Sequence, residues 1–229
     1  MDTPLRGISS MATRRLLTEL ALAWQREGGT PLALESVGGV DAARRVQAGE
    51  AFDAVFLASD ALVALEAAGW LAPGSRVDLA RSNVAVAVRA GAPHPDIATE
   101  AAVRRAIEQA ASIAYSTGPS GTALLRLFAR WGIAEAVQDR TVQAPPGVPV
   151  GELVARGEAE LGFQQWSELM HLGGIDVLGP LPRAIQIETV FSGAVAATSQ
   201  RADAVHALLR FMASPACTDA KKRQGMAPA

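Results

Sequence analysis

Apolar and polar positions along this chain switch repeatedly between a period of two and a period of about 3.6. Leu5 to Ile8 is a minimal apolar strand that runs into Ser9-Ser10. Helical spacing follows, with Met11, Leu16, Leu17, Leu20 and Trp24 apolar, charged residues between them, and Gly28-Gly29 as the stop. Pro31 to Glu35 predicts a second strand opening into Ser36-Val-Gly-Gly39, and Asp41 to Ala48 a helix. Phe52 to Leu57 predicts a third strand ending at Ala58-Ser59-Asp60, followed by a helix from about Ala61 to Ala68. This β–α–β–α–β–α run predicts a parallel sheet covered by helices.

The same alternation continues. Val84 to Val88 is a strand and Thr99 to Ala110 a helix; Ile113 to Tyr115 is a strand end, and Thr122 to Trp131 has helical spacing. Val137 to Val142 precedes the stiff turn Pro145-Pro-Gly-Val-Pro149, and Val150 to Ala155 is a short helix. Leu161 to Phe163 predicts a strand running into Gln164-Gln165, and Ile175 to Leu178 another. Ile185 to Thr198 is long, apolar and extended, suited to crossing between two lobes. A helix over Asp203 to Met212 precedes a short one carrying Cys217 and Gln224. The fold class is therefore α/β.

The strand ends carry the candidate chemistry. In open α/β sheets ligands bind beyond the carboxyl ends of the strands. Those ends here hold Ser9, Ser10, Ser36, Gly38, Gly39 and Ser59, and later Ser116, Ser120, Gly121 and Thr122. Hydroxyls there either cap the following helix or meet a ligand, and glycine admits a ligand close to the backbone. First-turn N–H groups favour an anion. Gln164 and Gln165 are either a solvated pair at a strand end or amide ligands.

Composition narrows the function. Hydrophobic residues make up 49% and charged residues 19%, with a net charge of −2. No basic field suits a nucleic acid, and no helix-turn-helix is evident. No apolar run reaches the roughly 18 residues that span a bilayer, so membrane insertion is not expected. The single cysteine excludes an intramolecular disulfide, and His94, His171 and His206 lack metal-ligand spacing, so no metal or cofactor is implied. Met1 to Ile8 has no basic segment leading into an apolar one. The expectation is a periplasmic protein if a signal peptide has been removed, and a cytoplasmic one otherwise.

The order of these elements, with five short motifs, resembles the type II periplasmic solute-binding proteins, most specifically the molybdate-binding-protein-like branch. The motifs are Ile8-Ser-Ser-Met-Ala-Thr13 and Ser36-Val-Gly-Gly39, Val46 to Leu57, Arg156-Gly-Glu-Ala-Glu-Leu-Gly162, and Phe211 to Pro215 with Gly225 to Pro228. The resemblance implies two α/β lobes joined by extended crossovers, closing by hinge motion on a ligand in the cleft between them. It puts residues 1–81 and 195–229 in lobe one and 82–194 in lobe two. It also implies a small anionic ligand and an ABC transporter membrane component as partner. Carried over by position, Ser10 and Ser36 are oxyanion donors, Ser120-Gly121 and Val148 supply backbone N–H groups, and the family's tyrosine donor falls at Gln165. That departure opens the site to an organic acid as readily as to molybdate. The branch also includes members resembling aconitate isomerase, which moves a double bond in a tricarboxylic acid. Glu168, His171, Asp60 and Glu188 all read as surface charges near loop edges; for that alternative Glu168 and His171 are the candidate bases.

Overall fold

The computed structural model describes residues 3–229; Met1 and Asp2, part of the stretch read for a leader, lie outside it. The elements follow in order β1 (Leu5–Ser10), α1 (Arg14–Arg26), β2 (Leu32–Val37), α2 (Gly39–Gln47), β3 (Ala54–Ala58), α3 (Ser59–Ala67) and β4 (Val77–Arg89). Next come α4 (Glu100–Gln109), β5 (Ile113–Tyr115), α5 (Pro119–Arg130), α6 (Ala134–Val137), β6 (Thr141–Gln143), α7 (Val150–Ala155), β7 (Leu161–Gln165), α8 (Trp166–Leu169) and β8 (Ile175–Pro180). The chain closes with β9 (Glu188–Val195), α9 (Ala202–Ala213), α10 (Thr218–Arg223) and β10 (Ala227–Pro228).

The chain divides into two compact units, one running up to Ser82 and resuming over Val190–Ala229, the other Asn83–Thr189. In the first unit β1 lies between β2 and β3, parallel to both, and β9 pairs antiparallel with β3. Strand periodicity decides which helices cover which face. On β3, Ala54, Phe56 and Ala58 point with Leu5 into a core built against Leu16, Leu17 and Leu20 of α1 and Leu208, Leu209 and Met212 of α9. The intervening Val55 and Leu57 join Ile8 against Val46 of α2 and Leu62 and Leu65 of α3. Both faces are covered, which is why the β3 run is apolar without a break.

In the second unit β7 pairs antiparallel with β4 and parallel with β5, which is parallel to β6; β8 pairs antiparallel with β4. The sequence Val84-Ala-Val-Ala-Val88 sorts itself by size. Its valines pack with Val103 and Ile107 of α4 and Leu124 and Phe128 of α5. Its alanines, Ala85 and Ala87, face Leu169 of α8. Gly162 on β7 extends this small-residue face: a Cβ there would come within 2.5 Å of Val154 Cγ2. Small side chains let α7 and α8 lie low on the sheet, and α8 carries Glu168.

Several boundaries differ from the sequence reading. β1 continues through Ser9 and Ser10, because those residues pair with Ser36 and Val37 of β2. β4 begins seven residues before Val84; its polar first half, including Asp78 and Arg81, hides the strand period. α5 begins at Pro119 rather than Thr122, placing Ser120 and Gly121 inside its first turn. The Val137 to Val142 run breaks into the end of α6, a 3₁₀ turn and the start of β6. Cys217 and Gln224 flank α10 instead of lying within it, since Cys217 closes a 3₁₀ turn begun by Pro215.

Candidate functional site

The parallel register brings the first unit's candidates to one sheet edge. Ser9 stands opposite Ser36 on β2 and Phe56 on β3, so β1, β2 and β3 end together. Ser9 Oγ and Ser36 Oγ share a hydrogen bond of 2.7 Å. Ser10, the last residue of β1, is only 7% exposed, and its hydroxyl has no partner and caps nothing. Its carbonyl accepts from Thr13 Oγ1 at 3.2 Å, which fixes the turn. Gly38 caps α2 through its backbone, and Gly39 lies beside Ser10, where a Cβ would stand 3.6 Å from the serine Cβ. Neither glycine has a positive φ, so turn geometry does not demand them.

Ser59 is differently occupied. Its Oγ accepts from Arg76 Nη1 at 2.7 Å, Arg76 pairs with Asp78, and Asp78 accepts from Ser192 Oγ at 2.6 Å. Sequence reasoning missed Arg76, a cation at the same edge. It follows Gly74-Ser75 with no motif around it, and only the fold brings it back to the start of α3.

The second unit has a matching edge where β5 and β7 end in parallel. Ser116 Oγ and Ser120 Oγ are 3.0 Å apart across the start of α5. Gly121 is obligatory there, because an added Cβ would fall 1.9 Å from the Ser116 carbonyl oxygen. Thr122 is exposed, and its N–H donates to the Gly118 carbonyl. The backbone donor expected at Val148 is also spent: its N–H donates to Pro145 O at 3.0 Å, closing the proline-rich turn.

The glutamine pair is not solvated. Gln164 and Gln165 are each 3% exposed, and strand alternation sends them to different partners. Gln164 Oε1 accepts from the Val150 N–H at the start of α7, at 2.8 Å. Its side chain also hydrogen-bonds Glu168. Gln165 Nε2 donates to Thr189 Oγ1 at 2.8 Å, while its Oε1 is buried with no partner. Among the described residues, the buried side-chain oxygens and nitrogens lacking a partner are Ser10 Oγ and this Gln165 Oε1. Each is the last residue of its strand. Thr189 was unreadable in advance, lying inside a largely apolar extended run with no motif around it.

Glu168 lies in the single turn of α8, one step beyond this pair. Burial pushes its carboxyl up to about 7, and the Gln164 hydrogen bond pulls weakly the other way. No cation contributes. His171 lies on the exposed turn after α8. The described residues include no group of His, Cys, Asp and Glu able to hold a metal ion. The edge is thus rich in neutral donors and acceptors, with one carboxyl balanced between its two protonation states.

These features define an α/β protein with small polar residues and buried amides at its strand ends. The chain belongs to the bacterial extracellular solute-binding protein family, whose model matches residues 5–227. It is 40% identical to an aconitate isomerase of a Pseudomonas species, over 99% of this chain and 88% of that protein. Among solved structures it resembles the periplasmic molybdate-binding protein of Azotobacter vinelandii, with a TM-score of 0.79 and 20% identity, covering 97% of this chain and 98% of that one. It also resembles the sulfate-binding protein of Mycobacterium tuberculosis, with a TM-score of 0.78 and 16% identity, covering 100% and 88%. These likenesses establish the type II periplasmic-binding fold. No described helix is long and apolar enough to cross a membrane.

Proposed function

We propose that this chain binds a small organic acid, a tricarboxylate of the aconitate kind, through the donors and acceptors at its strand ends. The buried, unpartnered amide oxygen of Gln165, at the strand end of the second unit, carries this reading. A serine hydroxyl can donate to a carboxylate, whereas an amide oxygen can only accept. Molybdate, tungstate and sulfate dianions also only accept, and would leave Gln165 Oε1 unsatisfied at a cost of about 1–3 kcal/mol. An organic acid retaining one carboxyl proton, or bearing a hydroxyl, can donate to that oxygen. A thermal-shift panel of molybdate, tungstate, sulfate, citrate, cis-aconitate and trans-aconitate tests it, because a ligand of the native state raises the melting temperature. Stabilisation by the tricarboxylates is the expected result, and stabilisation by the oxyanions alone would refute it.

A second reading makes the same site catalytic: the bound acid is isomerised by shifting its double bond. The near full-length relationship at 40% identity to an aconitate isomerase favours it. Chromatography of cis- and trans-aconitate after incubation with the protein tests this directly, and no interconversion at high protein concentration would end it. The family is one of extracellular binding proteins. We assign this chain to the periplasm, where a binding role would pair it with an ABC transporter; cell fractionation checks the compartment.

A further inference from the structure

We propose that Glu168 is the base that carries the proton in this double-bond shift, and that Gln164 is the positioning residue that aims it. The inference rests on the isomerase reading.

Geometry singles out this carboxyl. It stands in the turn that directly follows β7, three residues past Gln165, the strand end that carries the unpartnered oxygen. Gln164 holds it from below, and Gln164 is itself fixed by the Val150 N–H at 2.8 Å, so the carboxyl is tied to the start of α7. The elements packed against α8 are β7, α7 and β8. Their ionisable side chains face elsewhere: Glu152 of α7 pairs with Arg156 at 3.6 Å, and Asp176 of β8 with His94 at 3.2 Å. Burial and the Gln164 hydrogen bond are the influences on its titration, and no cation is among them. A carboxyl balanced near neutrality can both take and return a proton, as general acid–base catalysis requires.

The chemistry balances with this one group. Carboxylate Glu168 removes a proton from the methylene carbon of the substrate. The electron pair left behind forms the new carbon–carbon double bond as the old one opens, and charge spreads over the allylic unit and its carboxylates. Protonated Glu168 then delivers the proton to the former vinyl carbon and returns to its starting state. No oxidant, metal or second substrate is consumed. The Ser116 and Ser120 hydroxyls, which share a hydrogen bond at the start of α5, are the neutral donors assigned to the transient charge.

The test compares wild type, Glu168→Gln and Gln164→Met. Readouts are isomer interconversion by chromatography, solvent deuterium entering aconitate by NMR, and the tricarboxylate thermal shift. Glu168→Gln should lose about 100-fold or more in kcat and the matching deuterium exchange, while keeping the ligand-induced thermal shift. Gln164→Met should move the acidic limb of the kcat/KM profile to higher pH, since its hydrogen bond favours the carboxylate; a merely structural role would leave that limb in place. Glu168→Gln turning over at the wild-type rate would overturn the assignment while leaving the isomerase reading intact. A wild type that binds aconitate but never interconverts it would remove that reading, and this inference with it.

Discussion

Glu168→Gln should make the protein more stable above neutral pH and leave it unchanged in acid. The carboxyl has an ordinary value of 4.5 and is raised to about 7 by burial in the folded chain. A raised folded value means that the native state favours the protonated acid. Its contribution is therefore complete below pH 4.5 and is lost as the pH climbs through 7. At about 1.4 kcal/mol per pKa unit, the full penalty for holding the anion at pH 8 is roughly 3 kcal/mol. The side chain keeps part of its surface open to water, which reduces this to about 1–2 kcal/mol. Glutamine has nearly the same shape, can still meet Gln164 and carries no charge. For a chain of this size, each kcal/mol moves the melting temperature by about 2–4 °C. Ligand-free melts at pH 8 should thus place the variant about 2–8 °C above wild type, and melts at pH 4 should place the two together. A variant equal to or less stable than wild type at pH 8 would show that Glu168 is not held in a desolvating site. A stability gain on removing a functional carboxyl is the expected signature of a group kept for chemistry rather than for folding.

Gly121→Ala should lower the melting temperature by about 2–12 °C, from an overpacking cost of about 1–3 kcal/mol. The new methyl starts 1.9 Å from the Ser116 carbonyl and reaches ordinary contact only at 3.4 Å, so the loop before α5 must move. Calorimetry within 1 °C of wild type would contradict this. Ser10→Ala removes a buried hydroxyl that has no partner and should shift stability by less than about 0.5 kcal/mol. The same substitution should sharply reduce the tricarboxylate-induced thermal shift; a large stability loss with unchanged ligand response would mean that the hydroxyl serves the fold. Lys221→Met should raise the melting temperature at pH 7, because Lys221 is 1% exposed and burial lowers its ammonium pKa. The gap should close as the pH rises past the ordinary lysine value of 10.5, where the unfolded lysine is neutral as well, and a gap constant with pH would refute that account.

Local pattern alone carried much of the architecture. Alternating strand and helix periods between Leu5 and Ala68 imply a parallel sheet, and the parallel register then delivers Ser9, Ser10 and Ser36 to one edge. The serine and glycine tips of those strands were legible because such small polar residues have few uses at that position. What could not be read is which of them are already satisfied. Ser59 is held by Arg76 from 17 residues away, and Val148 spends its N–H on the turn that Pro145 begins. Strand alternation alone sends Gln164 and Gln165 to opposite faces. Only the packed unit decides that one is pinned by Val150 while the other keeps a buried oxygen open. Glu168 makes the distinction plainest. Its sequence neighbours mark it as an ordinary surface glutamate. Its chemistry comes from Ala85, Ala87 and Gly162, whose small side chains let α7 and α8 settle onto the sheet and strip water from the carboxyl. Periodicity is a property of neighbours along the chain and survives in the sequence, whereas desolvation and hydrogen-bond satisfaction depend on groups that meet only when the chain has folded.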